Sequence, residues 1–252
     1  MRLLRSGKLG SFWRFVREPL AVAAVMIFST SAIAAPFYVP SGSMEPTLAI
    51  GDAIIASKFD YGYSRFSMPY ALGPKSDARL MEKLPARGDV VVFNLPRDPK
   101  IVYVKRVIGL PGDHIQMRAG HLFIDGHDMA LKPAGRGEVE MEDGSPMVAT
   151  RYLETLPGGV VHPIYKLGWQ GPLDDTPEFV VPAGHLFMMG DNRDNSLDSR
   201  VPADEGGVGF VPMENLVGKA QIVMGSYDYR NARQIWTWPT EFRLARFFSK
   251  VR

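Results

Sequence analysis

Two polar stretches and one lysine hold the chemistry open to this chain. In the stretch Pro40-Ser41-Gly42-Ser43-Met44-Glu45-Pro46-Thr47-Leu48, two hydroxyl residues flank a glycine and a proline closes the turn. Glycine adds no side-chain bulk beside Ser43 and permits unusual dihedrals, so that hydroxyl can stand clear of its own backbone. A hydroxyl is a weak nucleophile until a neighbouring base takes its proton. The other polar stretch is Gly190-Asp191-Asn192-Arg193-Asp194-Asn195-Ser196-Leu197-Asp198-Ser199-Arg200. Between the two lies Lys105, inside the β-branched run Ile101–Gly109.

The base is not a histidine on this reading. Of the five (His114, His121, His127, His162 and His185), none falls in either polar stretch, and each reads as incidental. The serine turn lacks the G-x-S-x-G elbow of α/β hydrolases. The Asp191–Asp198 segment has neither the sharp-turn glycine nor the closing glutamate of a calcium loop, so no metal is expected. With no cysteine, thiol nucleophiles, disulfides and thiolate metal sites are excluded. No cofactor motif appears. A lysine remains. Its ordinary pKa of about 10.4 leaves it protonated at neutral pH, but burial among apolar groups disfavours the ammonium and lowers that value. Lys105 sits among Val102, Val104 and Val107. The same placement would also suit an edge-strand lysine that guards against aggregation.

Elements that must position these groups are mostly strands. Twenty prolines and twenty-five glycines among short β-branched runs indicate a mainly β, loop-rich body. Strands are expected at Ala53–Phe59, Val90–Phe93, Ile101–Gly109, His185–Met189 and Leu216–Gly225, with a loop over Asn94–Lys100. Alternation along Ile101–Gly109 sets Tyr103, Lys105 and Val107 on one face and Val104, Arg106 and Ile108 on the other. A hairpin over His114–Met117 and His121–Ile124 opens a polar stretch, 114–182, that reads as an insertion with its own small sheet or as one long decorated loop. The segment from residue 234 interleaves Trp236, Trp238, Phe242, Leu244, Phe247 and Phe248 with basic residues; it suits either a packed terminal helix or contact with anionic lipid.

Lysine plus arginine exceed aspartate plus glutamate by only 29 to 27, so the charge balance does not point to nucleic acid. The charges are unevenly placed, however. Residues 1–18 carry Arg2, Arg5, Lys8, Arg14 and Arg17 against Glu18, and no charged residue follows until Glu45. The intervening apolar run is close to the roughly 20 residues that cross a bilayer. A single membrane anchor over 19–37 is expected, with the basic N-terminal side in the cytoplasm and everything after the anchor outside. The rival is a cleaved secretory signal, for which Ala32-Ile33-Ala34 is a small-x-small site. With a retained anchor, six residues separate Phe37 from Ser43, a span of at most roughly 20 Å, which suits a membrane-embedded substrate.

The serine turn, Gly88-Asp89-Val90-Val91-Val92-Phe93, Tyr103-Val104-Lys105-Arg106-x-x-Gly109-Leu110-Pro111-Gly112-Asp113, and the polar stretch 190–200 occur in the order in which they occur in bacterial type I signal peptidases, the leader peptidases, and the chain resembles that family. The resemblance covers about 37–113 and 184–225 and implies an antiparallel β catalytic domain (38–113 and 183–233) carrying the insertion and a basic, aromatic tail (234–252). It implies a Ser-Lys endopeptidase of the bacterial inner membrane that cuts signal-peptide-bearing preproteins after Ala-x-Ala. Ser43 would be the nucleophile, Lys105 the general base, and the Ser43 N–H with the Ser41 hydroxyl the oxyanion hole. Ser196 would orient the Lys105 amine, Asp191 would pair with Arg106, and Asp198 with Arg200 would brace the same wall. Phe37, Val39, Pro40, Leu48, Tyr103 and Val104 would line shallow pockets for small side chains. Substrate would bind by strand addition. Many relatives have two transmembrane helices where this chain shows one. A peptidase dedicated to one conjugation or pilus protein and a non-catalytic membrane-tethered β scaffold are the alternatives.

Overall fold

Valine-rich strands with both faces apolar must be covered on both sides, and this sheet is. In the computed structural model, which describes residues 13, 15–23, 25–26, 33–67, 79–141, 145–228 and 241–252, fifteen strands form three sheets. The strands that precede residues 114–182 are β1 (Ala34–Tyr38), β2 (Asp52–Ser57), β3 (Val90–Leu95) and β4 (Asp98–Gly109). Then come β5 (His114–Arg118), β6 (His121–Ile124), β7 (His127–Asp128), β8 (Leu131–Glu140), β9 (Pro146–Leu156), β10 (Val160–Lys166) and β11 (Phe179–Val180). The chain returns through β12 (His185–Met189), β13 (Val211–Pro212), β14 (Leu216–Ser226) and β15 (Ser249–Lys250).

The main antiparallel sheet has the order β1-β2-β14-β3-β4-β12-β13, with β15 also on β14. Strand β3 shows why it is central. Val91, Phe93 and Leu95 are fully buried in one core cluster with Val107 and Met188, while Val90 and Val92 are buried in a second with Met44, Leu48 and Ile54. The run 94–100, expected as a loop, is a tight hairpin instead: Leu95 pairs with Asp98 across Pro96-Arg97. Both prolines of the stretch lie where no ladder donor is required.

Residues 114–182 form two sheets rather than one, β11-β5-β6-β7 and β10-β9-β8. The first closes a third core cluster with Ile108, Phe187 and Met189 of the main sheet. Residues 234–252 were expected as a tail outside the sheet, yet β15 pairs with Ile222 and Val223 of β14. The anchor expected over 19–37 needs a boundary correction. Ala34–Tyr38 pair residue for residue with Ser57–Ala53 of β2, so the chain is already sheet by Ala34. Residues 15–23 are helical, while residues 27–32 lie outside the described residues. Among the described residues, no helix is long and apolar enough to cross a membrane.

Candidate active site

The serine turn begins where β1 ends. Ser41 is still extended, and Gly42–Met44 then make one 3-10 turn that Glu45 N–H closes on Gly42 O. Met44 and Leu48 are wholly buried and pin the turn to the core, whereas Ser43, just before Met44, stays partly accessible. Behind the turn, Asn192 makes a double clamp: its N–H donates to Ser43 O at 3.1 Å and its side-chain amide to Gly42 O at 3.2 Å.

Lys105 lies on β4 opposite Val91, and Arg106 opposite Val90. Lys105 is only 3% exposed, and its amine donates to Ser43 Oγ at 2.5 Å. The amine also lies 5.5 Å from the centroid of Tyr103. Burial lowers its pKa to about 8, and the negative charges of Asp198 and Asp191 only partly oppose that. Ser41 Oγ is 3.4 Å from Ser43 Oγ.

Arg106 is fully buried and bidentate to Asp191, Nε to Oδ1 at 2.8 Å and a terminal nitrogen to Oδ2 at 2.6 Å. Thr47 Oγ1 donates to the same carboxylate at 2.5 Å and accepts from Arg106 at 3.2 Å. Burial opposes ionisation of Asp191, but Arg106 and His162 outweigh it and hold the carboxyl well below its usual range. Asp198 and Arg200 form a second bidentate pair, both contacts at 2.8 Å, and Asp198 Oδ2 also accepts from Gly190 N–H at 3.0 Å.

Ser196 does not make the expected contact. Its buried hydroxyl has no hydrogen-bond partner among the described residues. It is packed against Gly190, where a Cβ would meet Ser196 Oγ at 2.2 Å, while the Lys105 amine is directed at Ser43.

A groove of about 580 Å³ runs over this site, lined by Phe37, Val39 and Pro40 on one side and Tyr103 and Val104 on the other, with Ser41, Ser43 and Lys105 at its end. Leu48, expected in that lining, is fully buried in the core beneath it. Glu140, Met141, Asn195 and Leu197 also line it. Among the described residues, β1 pairs only with β2, and β4 meets β12 only from Arg106 onward, so both flanks of the groove present unpaired strand edges.

Sequence reasoning missed how the insertion joins the site. His162, read as incidental, is wholly buried between two carboxylates, Nε2 at 3.1 Å from Glu154 Oε2 and Nδ1 at 3.4 Å from Asp191 Oδ1. Glu154 is bidentate to Arg193, at 2.8 and 2.5 Å. Burial opposes its ionisation, but Arg193 and His162 prevail and lower its pKa to about 2. Tyr165 of β10 forms a parallel bridge with Asn192, and Asn195 donates to Glu140 O at 2.9 Å. The only signal for Arg193 and Asn192 was their place in the polar stretch. Glu154 and His162 gave none, since one is a lone acid and the other a lone histidine in mainly apolar strand segments, 152–156 and 160–164.

Comparison with known proteins shows the family. A family described as signal peptidase, peptidase S26, matches residues 12–225. Signal peptidase I of Pseudomonas fluorescens is 42% identical over 214 residues, spanning 82% of this chain and 70% of its own. That of Rickettsia akari (strain Hartford) is 37% identical over 209 residues, spanning 80% and 75%. A solved signal peptidase I from Enterococcus faecalis V583 overlaps 54% of this chain and 97% of its own at 25% identity, with a TM-score of 0.31. A match over residues 12–225, with relatives at this identity, means that the chain belongs to the signal peptidase S26 family of serine endopeptidases.

Proposed function

We propose that the protein removes N-terminal signal peptides from exported proteins, cutting after small-x-small sequences with Ser43 as nucleophile and Lys105 as general base. The observation that carries this reading is the buried, pKa-lowered amine of Lys105 in hydrogen-bond contact with Ser43 Oγ. In its neutral form the amine takes the Ser43 proton as Oγ attacks the scissile carbonyl, then gives that proton to the departing amine. The same amine next activates water against the ester. Ser41 Oγ and Ser43 N–H donate to the developing oxyanion, a contribution of typically a few kcal/mol per donor.

The precursor adds as an extended strand between β1 and β4, its main chain pairing with their open edges and alternate side chains entering the groove. Phe37, Val39, Tyr103 and Val104 leave room there for small side chains. Asp191 with Arg106, and Asp198 with Arg200, hold the wall behind the base. The active body, which keeps 38–113 and 183–233 and gains β1 and β15 from the flanking segments, works outside the cytoplasmic membrane on a single anchor whose support is the uncharged run between Glu18 and Glu45. Because Ala34 is in the sheet, the anchor ends before it. Ten residues then separate Ile33 from Ser43, a reach of at most roughly 35 Å from the bilayer.

Detergent-solubilised protein incubated with a labelled precursor tests the proposal. Wild type is expected to cut once, after the small-x-small site, and Ser43→Ala not at all. Cleavage by the alanine variant refutes the assignment.

A further inference from the structure

Residues 241–252 contact the residues that follow Ser43. Arg246 donates from Nε to Asp52 Oδ1 at 3.0 Å and from a terminal nitrogen to Asp52 Oδ2 at 2.5 Å and Thr47 O at 3.0 Å. Asp52 is fully buried and also accepts from Ala49 N–H at 2.9 Å, so it ties together the turn that follows Ser43. Arg243 donates to Ile50 O, and the backbone oxygen of Arg252 accepts from Arg106 at 3.1 Å. The approach is close: a Cβ on Gly51, whose φ is +91°, would stand 2.0 Å from Tyr227 O and 3.0 Å from the Arg243 guanidinium.

The geometry points to this segment as a strap that holds the nucleophile's turn in register, with Arg246 as a positioning residue for Ser43. The inference rests on Ser43 being the nucleophile. Thr47 is the shared point: its carbonyl is held by Arg246 while its hydroxyl is held by Asp191 and Arg106. Loss of one grip lets the turn shift relative to Lys105, and a misplacement of about 1 Å costs on the order of 100-fold in rate. The strap acts on the serine and not on the lysine, so the alkaline rise of activity keeps its midpoint while its height falls.

The test uses the full chain in detergent, a small-x-small peptide substrate, and a serine-directed acylating inhibitor that labels Ser43. Arg246→Gln is expected to lower kcat and the labelling rate by about tenfold or more, with KM and the pH midpoint unchanged. Arg246→Lys keeps the contact with Asp52 and is expected to fall between that variant and wild type. Leu244→Gln, at a side chain 72% exposed on the same segment, is expected to match wild type. The strap is overturned if Arg246→Gln labels as fast as wild type, if Leu244→Gln loses as much, or if the pH midpoint moves. Should Arg246→Gln not fold, Arg246→Lys decides: an unchanged kcat overturns the strap, and a reduced kcat at constant KM supports it. Failure of the wild type to label at Ser43 sinks the proposed function instead.

Discussion

Lys105 and Arg106 are consecutive on one strand, yet the single turn 43–47 engages both: Ser43 meets the Lys105 amine and Thr47 meets the Arg106 guanidinium. Successive side chains of a strand point to opposite faces. The turn therefore straddles β4, and its position is set from both sides. On one side is an amine that burial pushes towards neutrality; on the other is a guanidinium paired through two contacts with the Asp191 carboxylate. Both side chains are buried, so the difference lies in the group and its partner.

Lys105→Arg is the sharpest test of the base. A guanidinium does not deprotonate in a protein, so the variant is expected to be as inactive as Lys105→Ala while both keep the far-UV spectrum of the wild type. Appreciable precursor cleavage by the arginine variant defeats the assignment.

Cleavage rate is expected to rise with pH through about 8, the value to which burial lowers the Lys105 pKa. About a tenth of the enzyme holds a neutral amine at pH 7 and about nine-tenths at pH 9, by the ordinary titration of one group. A profile of kcat/KM that is flat from pH 6 to 9, on a substrate that itself does not titrate there, contradicts a lysine base.

The same shift has a consequence for stability. Between about 8 and the ordinary lysine value, the unfolded chain holds a proton at residue 105 that the folded chain has lost, so folding stability rises with pH in that window. Lys105→Met removes the buried amine at similar volume and is expected to raise the unfolding midpoint at pH 6–7. Its advantage over wild type shrinks as pH climbs from 8 to 10. Equal midpoints at pH 6 argue that the amine is solvated.

How much of this was legible in the sequence varies by element. Alternation along 101–109 sufficed to separate Lys105 from Arg106 because it needs only the period of a strand. The end expected for an anchor ran past Ala34 because Ala34-Ala35-Pro36-Phe37 is as apolar as a membrane span, and only pairing with β2 distinguishes an edge strand there. Leu48 was assigned to the groove by the family resemblance, and a motif does not reveal which way a side chain points. His162 was dismissed because its partners, Glu154 and Asp191, stand 8 and 29 residues away in the sequence and meet it only through the fold. For the same reason nothing in residues 114–182 signalled that this insertion shares buried charges with the site.

Those shared charges are expected to dominate acid stability. Asp191 and Glu154 are held below the usual carboxylate range by Arg106 and Arg193 against the cost of burial. A depressed folded pKa gives stability that is fully present above the unfolded value of about 4 and is lost as pH falls towards the folded one, about 2 for Glu154. Removing one member of a buried pair strands the other charge and costs about 3–5 kcal/mol. Asp191→Asn and Glu154→Gln are each expected to lose that much in urea unfolding at pH 7, and to flatten the dependence of stability on pH below 4. A loss under about 1 kcal/mol for Glu154→Gln means that the insertion is only resting on the catalytic body.

Gly190→Ala probes the packing between the two polar stretches. A Cβ at residue 190 would lie 2.2 Å from Ser196 Oγ and 2.5 Å from the carbonyl oxygen of Ser43. The Ser196 hydroxyl can rotate away, but its Cβ, 2.5 Å off, cannot, and the Ser43 carbonyl is fixed by the Asn192 N–H at 3.1 Å and cannot move without its turn. The displacement therefore falls on both polar stretches, including the turn that carries Ser43. Overpacking of this kind costs about 1–3 kcal/mol of stability, whereas a shift of the turn by about 1 Å costs on the order of 100-fold in rate. The variant is expected to be folded but at least tenfold slower in kcat, with KM nearly constant, since the groove between β1 and β4 is untouched. Full activity in Gly190→Ala requires the turn to yield without moving Ser43 Oγ from Lys105, which the clamp by Asn192 does not allow.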